Sequence, residues 1–183
     1  MGSSIVELMV LDILIRAVWF ILPAWIGNML ACTFGGGRPL DGGRNFIDGR
    51  PLLGKGKTIR GLCVGIVSAV GVALFQWVTW TPYEFNPIIF GLLMGSGAMV
   101  GDIVKSFIKR RINISSGRPF PPFDQIDFIC GALAVYYLIG PSILNHFYPL
   151  SWKMVLIIFV LTPLAHVSTN AIGYSLGMKD VWW

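Results

Sequence analysis

Residues 87–111 read PIIFGLLMGSGAMVGDIVKSFIKRR, and they give the clearest indication of the fold class. Its first part is apolar and rich in Gly and Met, and its last part is strongly basic. A helix needs about 20 mostly apolar residues to cross a bilayer. The stretch therefore predicts a membrane-spanning helix over residues 87–108. Because Lys and Arg concentrate in cytoplasmic loops, we expect its basic end to face the cytoplasm.

Four further stretches share this length and apolar character: 5–31, 61–80, 127–144 and 152–176. Of the 183 residues, 55% are hydrophobic and 13% are charged. That charged fraction is about half of the usual share in a soluble domain. The composition predicts an all-α integral membrane protein with about five transmembrane helices, folded as a single domain over residues 1–183.

The basic residues predict how these helices are oriented. Of the 14 Lys and Arg residues, 11 lie in or beside the predicted loops 32–60 and 109–126, whereas the loops 81–86 and 141–151 contain none. We therefore expect both basic loops and the C-terminus in the cytoplasm, and the N-terminus outside. The net charge of +5 follows from this asymmetry, so no nucleic-acid partner is expected.

Three carboxylates lie near the predicted cytoplasmic ends of two helices. Asp102 lies about two turns inside its helix, where an acidic residue is costly unless it meets a cation or water. Asp124 and Asp127 are three residues apart at the start of the next helix, so they can face the same way. They could serve as a helix cap and a dipole-favoured acid, and Asp102 could simply pair with Lys105 or Ser106. Alternatively, the three could share Mg²⁺, which prefers oxygen ligands.

The loop 32–60 is rich in Gly and places Lys55, Lys57 and Thr58 just before the second helix. Glycine permits close approach of the backbone to a ligand, and a helix N-terminus favours anions. The pattern indicates a phosphate-binding loop, although an ordinary positive-inside loop would explain the charge alone. A Walker A motif is excluded because Pro51 stands where a glycine is required, and no strand precedes it.

Three polar residues lie deep in apolar helices: Asn28 in the first, and His166 and Asn170 in the fifth. His166 and Asn170 are four residues apart and therefore share one helix face. Such residues either form hydrogen bonds between helices or line a polar cavity.

These motifs resemble those of the CTP:phosphatidate cytidylyltransferase superfamily. GKTIRG at 56–61 is similar to its K-T-x-x-G segment, and GDIVKSFIKR at 101–110 to its G-D-x-x-x-S-x-x-K-R segment. DQID at 124–127 is similar to the closing D-R-x-D of its signature. Within the superfamily, the loop RPLDGGR…DGRPLLGKGKTIRG and the C-terminal HVSTNAIGYSLGMKDVWW resemble the CDP-archaeol synthases. The resemblance extends from about residue 23 to residue 183.

The resemblance implies that CTP and an unsaturated archaeal ether lipid phosphate, 2,3-bis-O-geranylgeranyl-sn-glycerol 1-phosphate, react with Mg²⁺ present to give CDP-archaeol and pyrophosphate. The chain departs from the bacterial CDP-diacylglycerol synthase pattern at Ser115-Ser116, where Lys-Asp is usual, and at Gln125, where Arg is usual. The residues 121–123 replace a His-Gly-Gly sequence. These departures favour the archaeal branch, and the Asp that is missing cannot supply a metal ligand.

Residues and resemblance together predict one site. The predicted catalytic residues are Lys57, Asp102, Lys109, Asp124 and Asp127. The predicted metal ligands, for Mg²⁺, are the three carboxylates of that set. The residues expected to bind CTP or the lipid phosphate are Asn28, Lys55, Lys57, Thr58, Arg60, Lys109, Arg110, His166 and Asn170.

Two other classes of protein remain as alternatives. A small polytopic transporter or channel would need polar groups through both leaflets, yet here they gather at the cytoplasmic end. A membrane scaffold would leave three clustered carboxylates unexplained. We therefore expect a multi-pass enzyme of the cell membrane with its site facing the cytoplasm. It could form a homodimer.

Overall fold

The computed structural model describes the backbone of residues 2–175 and 177, and the side chains of residues 5–168, 171–175 and 177. It contains five helices: α1 (Gly2–Phe34), α2 (Ile59–Thr79), α3 (Pro87–Arg111), α4 (Phe123–Ile143) and α5 (Trp152–Ser175). Within the described backbone, β structure is limited to two isolated bridges in the loop between α1 and α2 and at its junction with α2. The predicted all-α fold is confirmed.

Four of the five helices, α2 to α5, are long and apolar enough to cross a membrane. Their outward faces are strongly apolar: Val78 is 74% exposed and Leu138 is 79% exposed. Such side chains are costly in water but are suited to lipid contact. That α1 crosses the bilayer beside them stays a prediction.

The packing of α3 against α4 depends on glycine. A Cβ atom added to Gly131 would lie 2.6 Å from both the N and Cα atoms of Gly101, and one added to Gly97 would lie 2.7 Å from Ala132 Cα. The two backbones are therefore in direct contact, as small residues allow in membrane helices. This close crossing brings Asp102 of α3 to the first turns of α4.

Aromatic side chains pack the opposite end of the bundle. Phe20 of α1 makes an edge-on contact with the Tyr136 ring of α4, with centroids 4.9 Å apart, and it also contacts Phe90 of α3. The buried Gln76 of α2 donates a 2.6 Å hydrogen bond to the Trp19 carbonyl oxygen. One end of the bundle is thus held by aromatic packing, whereas charged side chains hold the other.

Candidate active site

The N-terminus of α2 is held by Thr58, whose buried hydroxyl accepts hydrogen bonds from Gly61 N at 3.0 Å and Gly36 N at 3.2 Å. A threonine that accepts such bonds is a favourable N-cap. The cap ties the end of α1 to the start of α2 and fixes the backbone beside Lys57.

Six charged side chains meet where α2, α3 and α4 converge. We call Asp102, Asp124 and Asp127 the carboxylate cluster. Lys57 Nζ lies 2.5 Å from Asp102 Oδ2, and Lys109 Nζ lies 3.0 Å from both Asp124 oxygens. Asp124 also accepts a 2.5 Å bond from the Phe120 backbone N–H. The arrangement is a neutral network of charges that the helices largely bury.

Lys105 lies at the centre of this network. Its Nζ is 3.0 Å from Asp102 Oδ1, 3.3 Å from Asp124 Oδ1 and 2.9 Å from Asp127 Oδ2. The sequence alone indicates Lys105 only as a partner that could satisfy Asp102. Its position on the same helical stripe as Asp102 and Lys109 was the available signal, but the contacts to α4 depend on the helix crossing.

Asp127 is the most buried carboxylate of the cluster. Its side chain is 6% exposed, and its Oδ2 lies 2.9 Å from the Lys105 ammonium. A buried carboxylate requires a cationic partner, and carboxylate oxygens are ligands that a hard cation prefers. Among the described residues, no group of three or more acidic, His or Cys side chains is spaced to hold one metal ion. The Lys105 ammonium lies among the three carboxylates.

The loop between α1 and α2 is organised around Asp41. Its carboxylate accepts backbone hydrogen bonds from Gly43 and Leu53, both at 2.9 Å, and from Gly54 at 3.2 Å. Burial acts to raise the pKa of Asp41, but these three donors outweigh it and lower the pKa below its usual value. Asp41 therefore stays charged, and holds the loop, until the pH falls below the ordinary range for aspartate.

The same loop is fastened to the end of α3 by Arg111. Its guanidinium carbon lies 4.7 Å from the centroid of the Phe46 ring and 4.9 Å from that of Phe107. It also pairs with Asp48 and donates a 2.5 Å bond to the Pro51 carbonyl oxygen. Cation–π and charge-assisted contacts of this kind require the planar guanidinium.

For CTP, the substrate that the sequence resemblance implies, we expect Arg111→Met to raise the KM about 10-fold with a smaller change in kcat, because a loosened loop weakens ground-state binding. Steady-state kinetics at varied CTP would measure this. Arg118→Met, which removes an exposed arginine from the next loop, is the control. A fall in kcat at unchanged KM would contradict the positioning role of Arg111.

Two cavities open beside the loop. The first, of about 360 Å³, lies between α1, α2 and α3. It is lined by polar groups that include Lys55, Lys57 and Asp102 and by apolar groups that include Leu62 and Met99. The second, of about 390 Å³, lies between the two predicted cytoplasmic loops, and its lining includes Lys55 and Arg110. Both volumes suit a small-molecule ligand.

Comparison with known proteins identifies the family. The family model described as CarS-like CDP-archaeol synthase matches residues 10–183. The chain belongs to the CDP-archaeol synthase family. It is 43% identical over 181 residues to the CDP-archaeol synthase of Methanocaldococcus jannaschii, covering 93% of this chain and 98% of the relative. The CDP-archaeol synthase of Methanopyrus kandleri is 46% identical over 169 residues, covering 92% of each chain.

A solved structure agrees with this membership. It belongs to a protein described as an intramembrane enzyme for archaeal membrane lipid biosynthesis, with a TM-score of 0.75 and 34% sequence identity. The alignment covers 86% of this chain and 94% of that one. The predictions of a multi-pass membrane protein and of a nucleotidyltransferase are confirmed, and the transporter or channel alternative finds no support.

The fold of this CDP-archaeol synthase family member brings most of the predicted site residues together. Lys57, Lys109 and the carboxylate cluster form the charge network, and Lys55 and Thr58 line the first cavity beside it. Arg110 is close by, but its guanidinium donates to the carbonyl oxygens of Leu53 and Ile114 and lines the second cavity.

Three other predicted site residues, Arg60, Asn28 and His166, are not among the described ion pairs of the network. Arg60 is exposed in the first turn of α2, and neither cavity wall includes Asn28 or His166. The side chain of Asn170 falls outside the described residues. One polar group of α5 does join helices, since Trp25 Nε1 of α1 donates a 2.9 Å hydrogen bond to Thr162. A substrate role for these three residues and for Asn170 stays a prediction.

Proposed function

We propose that this protein transfers the CMP group of CTP to 2,3-bis-O-geranylgeranyl-sn-glycerol 1-phosphate, giving CDP-archaeol and pyrophosphate at the cytoplasmic face of the cell membrane. The observation that carries the proposal is the charge network of Lys57, Lys105, Lys109 and the carboxylate cluster, which borders a cavity with one polar and one apolar wall. The phosphate groups of the lipid and of the nucleotide need the polar wall, and the lipid chains need the apolar wall.

The reaction asks for positioning and charge neutralisation. A phosphate monoester is largely dianionic at neutral pH, so its oxygen can attack without a general base. That oxygen forms a bond to the α-phosphorus of CTP while the bond from the α-phosphorus to the bridging oxygen breaks, and pyrophosphate leaves. Negative charge is concentrated on the phosphate oxygens around the α-phosphorus during the whole reaction. Fixed cations that neutralise this charge are therefore the main requirement.

The lysines of the network are suited to this task. Lys57 lines the first cavity beside Asp102, with which it pairs. There its ammonium can neutralise a phosphate oxygen. Lys55 borders both cavities, so it can contact a ligand that spans them. Lys109 is 8% exposed and paired with Asp124, which supports a role in holding that carboxylate in place.

Magnesium suits the chemistry of the carboxylate cluster, because its oxygens are the ligands that Mg²⁺ prefers and because all three carboxylates already gather around one cation, the Lys105 ammonium. When bound, Mg²⁺ would supply charge stabilisation at the phosphates of CTP. Asp102, Asp124 and Asp127 are the residues that we propose to hold it.

The apolar wall of the first cavity suits the lipid. Ala31, Leu62, Met99 and Ile103 line it. The lipid chains can thus remain among the helices while the phosphate reaches Lys57.

Homodimer formation stays a prediction.

The direct test is product formation by purified protein supplied with labelled CTP, Mg²⁺ and the lipid phosphate. Lys57→Met is expected to lower the rate about 10²-fold, because it removes a cation fixed at the developing charge. Lys153→Met, which removes a lysine from the first turn of α5, should keep the wild-type rate. Failure of the wild-type protein to form CDP-lipid, or full activity of Lys57→Met, would refute the proposal.

A further inference from the structure

Lys105 already occupies the place of a cation in the carboxylate cluster. Its ammonium lies within 3.3 Å of all three carboxylates, which come from two different helices. The side chain is 14% exposed, so water screens these contacts weakly. No other lysine in the network contacts more than one member of the cluster among the described ion pairs.

The charges of the network balance without a metal ion. Three carboxylates face three ammonium groups, from Lys57, Lys105 and Lys109. A divalent cation on the Asp127 oxygens would lie close to the Lys105 ammonium and would leave the buried network with excess positive charge. Like charges at such distances in a poorly solvated site repel strongly.

A nucleoside triphosphate reverses this balance. It brings several negative charges, which offset the divalent cation and offer new acceptors for a displaced ammonium. The charge balance of the cluster therefore favours binding of a metal ion together with a polyphosphate over binding of the metal ion alone.

We propose that Lys105 makes metal binding at the carboxylate cluster conditional on the nucleotide. Without CTP the ammonium holds the three carboxylates together in place of the metal. With CTP bound, the Lys105 ammonium would move from the carboxylates to the phosphates, and the three aspartates could then hold the metal. This inference rests on the proposed function, because it takes the cluster as the metal site of the reaction.

The test uses Mn²⁺ alone, since Mn²⁺ and Mg²⁺ share a preference for carboxylate oxygen. Titration of the purified full-length protein, followed by the loss of the free Mn²⁺ electron paramagnetic resonance signal, gives the affinity. We expect weak binding by wild type and about 10-fold or tighter binding by Lys105→Met. Lys105→Arg, which keeps the charge, and Lys153→Met, which removes a distant one, should both behave as wild type.

Several results would overturn the inference. Wild type that binds Mn²⁺ as tightly as Lys105→Met would do so, as would equal binding by Lys105→Met and Lys105→Arg. Should Lys105→Met not fold, Lys105→Gln is titrated in its place, and tight binding of Mn²⁺ by wild type would still refute the inference.

A parallel measurement separates this inference from the proposed function. Retention of labelled CTP by wild type is compared with Mg²⁺ and with a chelator. CTP retention that needs no metal would refute the proposed metal site, and the inference with it. Metal-dependent retention of CTP together with tight binding of Mn²⁺ alone would refute the inference only.

Discussion

Asp127→Asn is expected to lower the rate of CDP-lipid formation by about 10²–10³-fold, the loss typical when a fixed electrostatic group at a reacting centre is removed. Asparagine keeps the shape of the side chain but removes the charge of a carboxylate that is 6% exposed and lies 2.9 Å from the Lys105 ammonium. Formation of labelled product under saturating CTP and Mg²⁺ measures the effect.

The matched control is Asp12→Asn, which also removes an aspartate from an ion pair. Asp12 pairs with Arg16 at 2.8 Å, but its side chain is 55% exposed and lies far along α1 from the network. It should leave the rate unchanged. Thermal unfolding distinguishes a chemical defect from a structural one: a well-folded Asp127→Asn protein with wild-type activity would remove Asp127 from the site.

Gly131→Ala is expected to destabilise the protein by about 1–3 kcal/mol, the usual cost of overpacking, and to reduce activity as well. The added Cβ would meet backbone atoms of Gly97 and Gly101, which cannot move aside as a flexible side chain could. The α3–α4 crossing would have to widen, and Asp127 would move away from Lys105 and Asp102. Thermal unfolding in detergent and the product assay report the two effects.

Gly71→Ala is the control for that substitution. Its Cβ would meet nothing within 4 Å, so only the gain in helix propensity remains, about 1 kcal/mol in favour of alanine. We expect unchanged or slightly raised stability and full activity. If Gly131→Ala were as stable and active as Gly71→Ala, the close crossing would not be what assembles the site.

The sequence was sufficient to predict the fold class, because membrane-spanning helices are recognisable by their length and hydropathy. It was also sufficient to select most of the charge network, since Asp102, Lys109, Asp124 and Asp127 are acidic or basic residues at helix ends, and Lys57 lies in a short motif. The ion pairs that join these residues could not be predicted from the sequence. The pairing of Lys105 with two helices depends on backbone contact at Gly97, Gly101 and Gly131, which is a property of the packed bundle.

The loop between α1 and α2 illustrates the same limit. Its glycine content indicated close approach of the backbone to a ligand, whereas part of its order comes from Asp41, whose carboxylate accepts three backbone N–H groups. Arg111 was counted only as part of the basic asymmetry, but it packs against two aromatic rings and holds the loop to α3. The contacts of Arg111 with Phe46 and Asp48 join residues more than 60 positions apart, beyond the reach of any local motif.

The position of the metal ion shows whether the carboxylate cluster is the metal site of the reaction. Crystals grown with CTP and Mn²⁺ would give an anomalous scattering peak at each bound ion. We predict a peak beside the Asp127 carboxylate, with the Lys105 ammonium displaced from Asp127. A nucleotide-bound structure with Mn²⁺ on other residues, and with Lys105 still between the three carboxylates, would rule out this site.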